Sequence, residues 1–272
     1  MDPAKKTDKI IAHNHQKQVL EKNMQQLEKN IVAGDWTFKP DWFTRKPFNS
    51  YNRDDSPSPP EIEEKHKYGS ITYKHNSMGF RGREFIGRKA IFGDSFVYGV
   101  GVEHPFAELL SMDNCGVGGA SNDLITRNAM NYIYYFKPAL IIVCWTYCSR
   151  REWVDEGRIR NLCFYHKIFR RDDEQKLTDI ELAWAELTNI GFDYYTWYKN
   201  KLLLELLCEK YNIRLIEINN HSLYREKNIP YALKPRPSDT DLGGWALDGS
   251  HPGQHWHNEM AKLLEEKLKK DA

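Results

Sequence analysis

Lys89–Val102, KAIFGDSFVYGVGV, decides how this chain folds. The apolar run Ala90-Ile91-Phe92 stops at Gly93-Asp94-Ser95, and apolar residues resume at Phe96 and Val97 before Gly99 and Gly101. An apolar run of strand length ending on glycine reads as a buried strand that delivers the next side chain to the carboxyl edge of a sheet. In open α/β sheets ligands bind at that edge. Ser95 therefore stands where a nucleophile would, and a nucleophilic serine needs a base and an acid from elsewhere in the chain.

Working downstream, Glu108–Met112 is expected to close a helix, and Asn114–Val117 reads as a second strand ending in Gly118-Gly119. Ser121 can cap a helix running to Phe136, with Ile125, Ala129, Ile133 and Phe136 on one face. Pro138 stops it. Ala139–Trp145 (ALIIVCW) is then a continuous apolar run that suits a strand covered on both faces of a parallel sheet. Arg150–Lys176, charged and aromatic without a clear period, reads as an insertion. Thr178-Asp-Ile-Glu181 is a capping box for a helix ending near Gly191. Tyr194–Tyr211 predicts a further helix with Tyr194, Trp197, Tyr198, Leu204, Leu207, Cys208 and Tyr211 as its buried stripe, and Ile213–Ile218 a fourth strand. Residues 219–247 read as a long polar loop. Pro252 is placed where the last helix begins, with Trp256, Met260, Leu263, Leu264 and Leu268 as its apolar face.

Upstream, Ile71 and Tyr73 suggest a strand, and Asn76-Ser77 and Gly79 suggest turns. Asp35–Lys67, centred on DDSPSPPEIEEK, has the composition of an exposed linker. Thr7–Ala33 predicts a helix whose Leu20, Met24, Leu27 and Ile31, at heptad spacing, are expected to pack on the domain, with a partner helix as the alternative. Strand–helix alternation over the remainder predicts a three-layer α/β/α domain with a central parallel sheet. The chain thus divides into an N-terminal helix and linker, residues 1–67, and the α/β domain, residues 68–272.

Composition narrows the function. With 39 basic against 38 acidic residues, the chain lacks the charge excess on which general nucleic-acid binding depends. Five cysteines, spread singly at 115, 144, 148, 163 and 208, read as reduced thiols of a cytoplasm-like compartment. No apolar run reaches membrane-spanning length, and MDPAKKTDKII lacks the apolar core of a secretory signal. The expected partner is a small-molecule or glycan ester, without nucleic acid or membrane.

The base and acid come from the other end of the chain. In Leu247-Asp248-Gly-Ser-His251-Pro252-Gly253 a three-residue offset in a tight turn lets the Asp248 carboxylate meet the His251 imidazole just before the last helix. Gly-Asp-Ser after a strand, together with Asp-x-x-His-Pro before a terminal helix, resembles the GDSL, or SGNH, hydrolase family of esterases and lipases over residues 68–268. The resemblance implies Ser95 as nucleophile, His251 as base and Asp248 as its orienting acid. Asn114-Cys-Gly-Val-Gly118-Gly119-Ala-Ser121 is similar to the family's second block, which implies that the amide of Gly119, or of Gly118, joins that of Ser95 in binding the oxyanion. Asn76-Ser-Met-Gly79-Phe-Arg81-Gly is similar to a motif that precedes the catalytic strand in these proteins. The third block, Gly-x-Asn-Asp, is missing, because the strand runs into Cys144-Trp145-Thr146-Tyr147-Cys148-Ser149-Arg150. Thr146 falls about where the donor Asn stands in the family, and Asn122 or Ser149 offers a substitute from a neighbouring loop. Losing one such donor costs on the order of 3 kcal/mol of transition-state stabilisation. The resemblance implies serine-dependent ester hydrolysis without a cofactor, with O-deacetylation of a glycan as the preferred substrate class. The alternative is a weakly active or inactive binding module on the same fold.

Other features read more plainly. Asp94 is expected to serve the turn through bonds to backbone. His251, His255 and His257 do not form a metal set, since His257 leaves the face that the other two share on a helix. Trp145, Trp153, Trp245 and Trp256 keep sugar stacking in play. Arg150-Arg151 and Arg158/Arg160 read as a solvated loop, with anion binding as the alternative.

Overall fold

The computed structural model describes residues 61–155, 158–163, 190–219 and 244–270. Contacts divide the chain into two units, residues 1–40 with 154–158 and residues 41–153 with 159–272, and the main sheet lies in the second. Strands β1 (Glu61–His66), β2 (Gly69–Lys74), β3 (Lys89–Gly93), β4 (Asp113–Gly116), β5 (Leu140–Trp145), β6 (Arg150–Asp155), β7 (Arg158–Cys163) and β8 (Arg214–Asn219) alternate with helices. The helices are α1 (Ser95–Tyr98), α2 (Phe106–Leu109), α3 (Asn122–Phe136), α4 (Ile190–Tyr211) and α5 (Gln254–Lys270). The expected helix over residues 7–33, the capping box at 178–181 and most of the polar loop lie outside the described residues.

β4, β3, β5 and β8 pair in that order as a wholly parallel sheet. Side chains alternate between its faces, as pleating requires. Ala90, Phe92, Ile141, Val143 and Trp145 share one core with Ile125, Ala129 and Ile133 of α3 and Trp197, Leu204 and Cys208 of α4. Ile91, Leu140, Ile142, Cys144, Ile216 and Ile218 share the other with Phe106 of α2 and Trp256, Met260 and Leu264 of α5. Every residue of β5 is buried, as expected for a run that has to satisfy two helical layers. The sandwich is the three-layer α/β/α fold that the sequence predicts. Chain order crosses over β3 between β4 and β5, which makes the carboxyl end of β3 the natural place for a crevice.

Several boundaries differ from expectation. Glu61–His66, assigned to the linker on composition, pairs antiparallel with β2 from Glu61↔Lys74 to His66↔Gly69. A partner strand supplies what its charged sequence does not advertise. The helix expected to close over Glu108–Met112 ends at Leu109. Residues 150–163, read as an insertion without period, contain β6 and β7, which pair as a separate two-stranded sheet. On α4, Tyr194, Tyr198 and Tyr211 are exposed, and the buried stripe narrows to Trp197, Leu204 and Cys208. On α5, Leu263 is exposed beside buried Leu264. Pro252 lies in a bridge with Trp245, ahead of the first helical residue Gln254.

Cys115, Cys144, Cys148 and Cys208 are buried free thiols. Burial pushes Cys208 up to about 12 and holds Cys115 and Cys144 well above the usual thiol range, so they behave as core apolar groups. No helix among the described residues is long and apolar enough to cross a membrane.

Candidate active site

Gly93-Asp94-Ser95 makes the turn the sequence predicts. β3 ends at Gly93, Asp94 caps the single-turn helix α1 by accepting from Phe96 N at 3.1 Å, and Ser95 is its first residue. α1 lies so close to β4 that a Cβ on Gly116 would stand 2.2 Å from Tyr98 N and 2.7 Å from Val97 C. Only glycine permits that backbone-on-backbone approach, which fixes where Ser95 sits. Ser95 itself is 7% exposed. Gly118 is buried and Gly119 half-buried in the loop that leaves β4, the strand hydrogen-bonded to β3. Ser95 and both candidate glycine amides therefore share one edge of the sheet.

The candidate acid and base arrive by docking. Leu247 N donates to Gly101 O at 3.1 Å, and Tyr68 N donates to Leu247 O at 2.9 Å. A Cβ on Gly101 would meet Ala246 Cβ and Leu247 N at 3.0 Å each, so the second glycine of the GVGV run is the seat of the turn that carries Asp248. The turn then organises itself. Asp248 Oδ1 accepts from the amides of Ser250 and His251, both at 3.1 Å. Oδ2 accepts from Ser250 Oγ and from His251 Nδ1, both at 2.5 Å. Partial burial pushes the Asp248 carboxyl upward, but the hydrogen bonds from His251 and Ser250 outweigh it and hold the group below the usual carboxylate range. An ionised carboxylate only accepts, so Nδ1 of His251 is the donor to it, and the neutral ring in this tautomer has its lone pair on Nε2. The imidazole stands edge-on to Phe96, the residue after Ser95, with ring centroids 5.8 Å apart. Among the described residues no hydrogen bond joins the Ser95 hydroxyl to that imidazole. Catalytic bonds of unliganded enzymes are often long and tighten when substrate binds.

The third-block position departs from expectation. Thr146 is fully buried, and its hydroxyl donates to Asp94 Oδ2 at 2.6 Å, so its single proton does not face an oxyanion. Asn122 clamps the same residue: its Oδ1 accepts from Thr146 N at 2.9 Å and its Nδ2 donates to Thr146 O at 3.1 Å. The Thr146 hydroxyl is thus engaged by Asp94, and Asn122 is engaged on both sides by the Thr146 backbone.

Arg150 and Arg151, read as a solvated loop, are 6% and 4% exposed. Arg150 pairs with Asp94 at 2.9 Å and Arg151 with Asp193 at 2.7 Å. Asp94, expected to serve only its turn, also anchors this ion pair. No local spacing signals it, because the contacts span 52 and 56 residues. Arg81 was visible in the motif before β3, but its task was not. Its guanidinium donates to the carbonyls of Tyr98, Gly99, Val102 and Glu103 and lies over the rings of Tyr73 and Tyr98. It thereby holds the loop on which the Asp248 turn is seated.

Of the tryptophans, Trp145 is buried with its indole N–H on Glu217, and Trp256 is buried between Phe96 and Phe106. Both belong to the core. Trp245 is 41% exposed and bridges to Pro252 beside the Asp248 turn. The side chains of Trp153, Arg158 and Arg160 lie outside the described residues. His257 is buried, accepts from Phe106 N at 3.2 Å and stacks on that ring, while His255 faces solvent. No group of three or more His, Cys, Asp or Glu among the described residues is placed to hold a metal.

No protein-family model matches the chain, and no curated protein does. Among solved structures, the chain is similar to a GDSL-like lipase from Bacteroides thetaiotaomicron, at 12% identity and TM-score 0.38, over 68% of this chain and 89% of that one. It is also similar to a two-domain esterase active on acetylated mannans, at 13% identity and TM-score 0.35, over 68% of this chain and 50% of the esterase. A member of the lipolytic G-D-S-L family from Veillonella parvula aligns at 16% identity and TM-score 0.30, over 66% of this chain and 96% of that one. The three-layer architecture stands on the strand order and helix placement given above.

Proposed function

We propose that the chain is a serine-dependent ester hydrolase of GDSL type. The observation that carries the reading is the Asp248–His251 pair, preset in its turn, docked on Gly101 and held against Phe96 at the edge where Ser95 opens α1. In this mechanism Ser95 Oγ bonds to the ester carbonyl carbon as its proton passes to His251 Nε2. The carbonyl oxygen becomes an oxyanion held by the Ser95 and Gly119 amides. Collapse breaks the bond to the alcohol, which takes the proton from Nε2. Water then attacks the acyl-enzyme, giving its proton to Nε2, and Ser95 recovers it as the acid leaves. Asp248 stays ionised throughout and holds the imidazolium.

O-deacetylation of a glycan is the substrate class this reading favours. Trp245, exposed beside the Asp248 turn, offers a ring face to a sugar. A second reading, an inactive binding module, draws on Thr146, whose hydroxyl is engaged by Asp94. Hydrolysis of p-nitrophenyl acetate and of an acetylated oligosaccharide by the wild type and by Ser95→Ala separates the two. Turnover lost in Ser95→Ala supports the hydrolase; equal background rates for both folded proteins on both esters support the module.

A further inference from the structure

One buried ion pair at the same edge has no part in the chemistry above. Arg150 Nη1 donates to Asp94 Oδ2 at 2.9 Å and to Thr146 Oγ1 at 2.8 Å, and reaches Ala120 O at 3.4 Å. Thr146 Oγ1 in turn donates to Asp94 Oδ2 at 2.6 Å. Asp94, Thr146 and Arg150 are 1%, 0% and 6% exposed. One guanidinium thus ties together the residue after β3, the loop after β4 and the residue after β5. A desolvated ion pair is weak evidence of stabilisation, since apolar residues fill such space as well or better. Its location is therefore the informative fact.

We propose that Arg150 is the positioning residue of the oxyanion site, replacing by anchorage what the missing third-block donor supplies by hydrogen bonding. The inference rests on the ester-hydrolase reading. Asp94 holds both ends of the device: Oδ1 caps α1 through Phe96 N, and Oδ2 takes Arg150 and Thr146. Fixing Asp94 fixes the first turn of α1, which starts with the Ser95 amide. The Ala120 carbonyl belongs to the residue after Gly119, so the same cation steadies the second donor. Arg150 also cancels a charge. An Asp94 carboxylate left alone in a buried site, next in sequence to Ser95, would repel the oxyanion as it forms. That penalty appears in the transition state and not when neutral ester binds.

The test is a charge cycle read as kcat and KM on p-nitrophenyl acetate, with Ser95→Ala as reference and thermal melting to verify folding. Arg150→Gln is expected to lower kcat about a hundredfold with KM within about threefold, the size of loss that misplaced catalytic groups give. Asp94→Asn/Arg150→Gln, which removes both charges and keeps a capping side chain, should recover at least tenfold of it. Arg150→Lys should fall between Arg150→Gln and wild type. A kcat for Arg150→Gln within threefold of wild type, or a double variant no faster than the single one, overturns the inference while leaving the hydrolase reading intact. Wild-type turnover that persists in Ser95→Ala, or is absent, overturns both. If Arg150→Gln does not fold, Arg150→Lys and the charge-free double variant decide: a double variant no slower than Arg150→Lys supports the role, and one at the Ser95→Ala background overturns it.

Discussion

The two halves of the site are built on opposite plans. The Asp248–His251 turn is local: its hydrogen bonds join residues one to three apart, and both side chains keep partial access to solvent, at 15% and 24%. The Asp94–Thr146–Arg150 cluster is sealed and joins residues far apart in sequence. A local, half-open turn can carry a proton acceptor, because Nε2 has to reach a proton and release it. A sealed cluster cannot exchange protons with water, but it can hold backbone amides still. On the proposed hydrolase reading the two halves divide proton transfer from oxyanion positioning, and substitutions in each are expected to leave different signatures.

The largest effect should come from the local half. Asp248→Asn removes the acceptor that fixes the His251 tautomer and is expected to lower kcat by about 10⁴-fold. Melting temperature should fall only modestly, because the bonds lost stay within one turn that Asn can still partly bridge. Steady-state kinetics beside a melting curve checks this, and a large loss of stability would show that the turn is structural. Gly101→Ala should be smaller. It strikes the seat of the turn without touching the buried cluster, since its Cβ would press on Ala246 and Leu247 at a φ of +71°. We expect a loss of 1–3 kcal/mol from strain and a kcat lower by about tenfold or more. Unchanged kcat would mean that the turn finds its place without that seat.

The smallest effect at neutral pH concerns His257, in the α2–α5 contact. Burial, with Arg81 nearby, lowers it from 6.5 to about 3, and its Nδ1 is occupied by the Phe106 amide. Its folded value lies below its unfolded one, so the unfolded chain binds the extra proton. Stability is then lost as pH falls from about 6.5 towards 3, at up to about 1.4 kcal/mol per pH unit. His257→Asn keeps an acceptor but cannot titrate, and should flatten that slope in urea unfolding followed against pH. An unchanged slope would place the acid sensitivity elsewhere.

The same contrast explains what could be read beforehand. β5, β3 and α3 were legible because an uninterrupted apolar run, a terminal glycine and a serine cap are local signals. The Asp248–His251 pair was legible because three residues in one turn suffice to form it. Arg150 was not, since nothing near it in sequence marks its partner, and a charged residue in a loop is ordinarily solvated. β1 was hidden because its pairing with β2, not its own composition, makes it a strand. Phe96 was noted only as the apolar residue that follows Ser95, and its contact with His251 depends on where the last helix lands.

That landing has a consequence during synthesis. His104 and Gln254 bond backbone and side chain across an interval of 150 residues, and Gly101 receives its turn over a similar span. As the polypeptide emerges from the ribosome, the strand carrying Ser95 and the seat beside it are translated long before the base. α5 also brings Trp256, Met260 and Leu264, which cover one face of the sheet. The step that seals the second core is therefore the step that delivers His251. Until α5 docks, the chain has Ser95 without His251 beside Phe96, so on the proposed hydrolase reading the packing of the second core also assembles the catalytic pair.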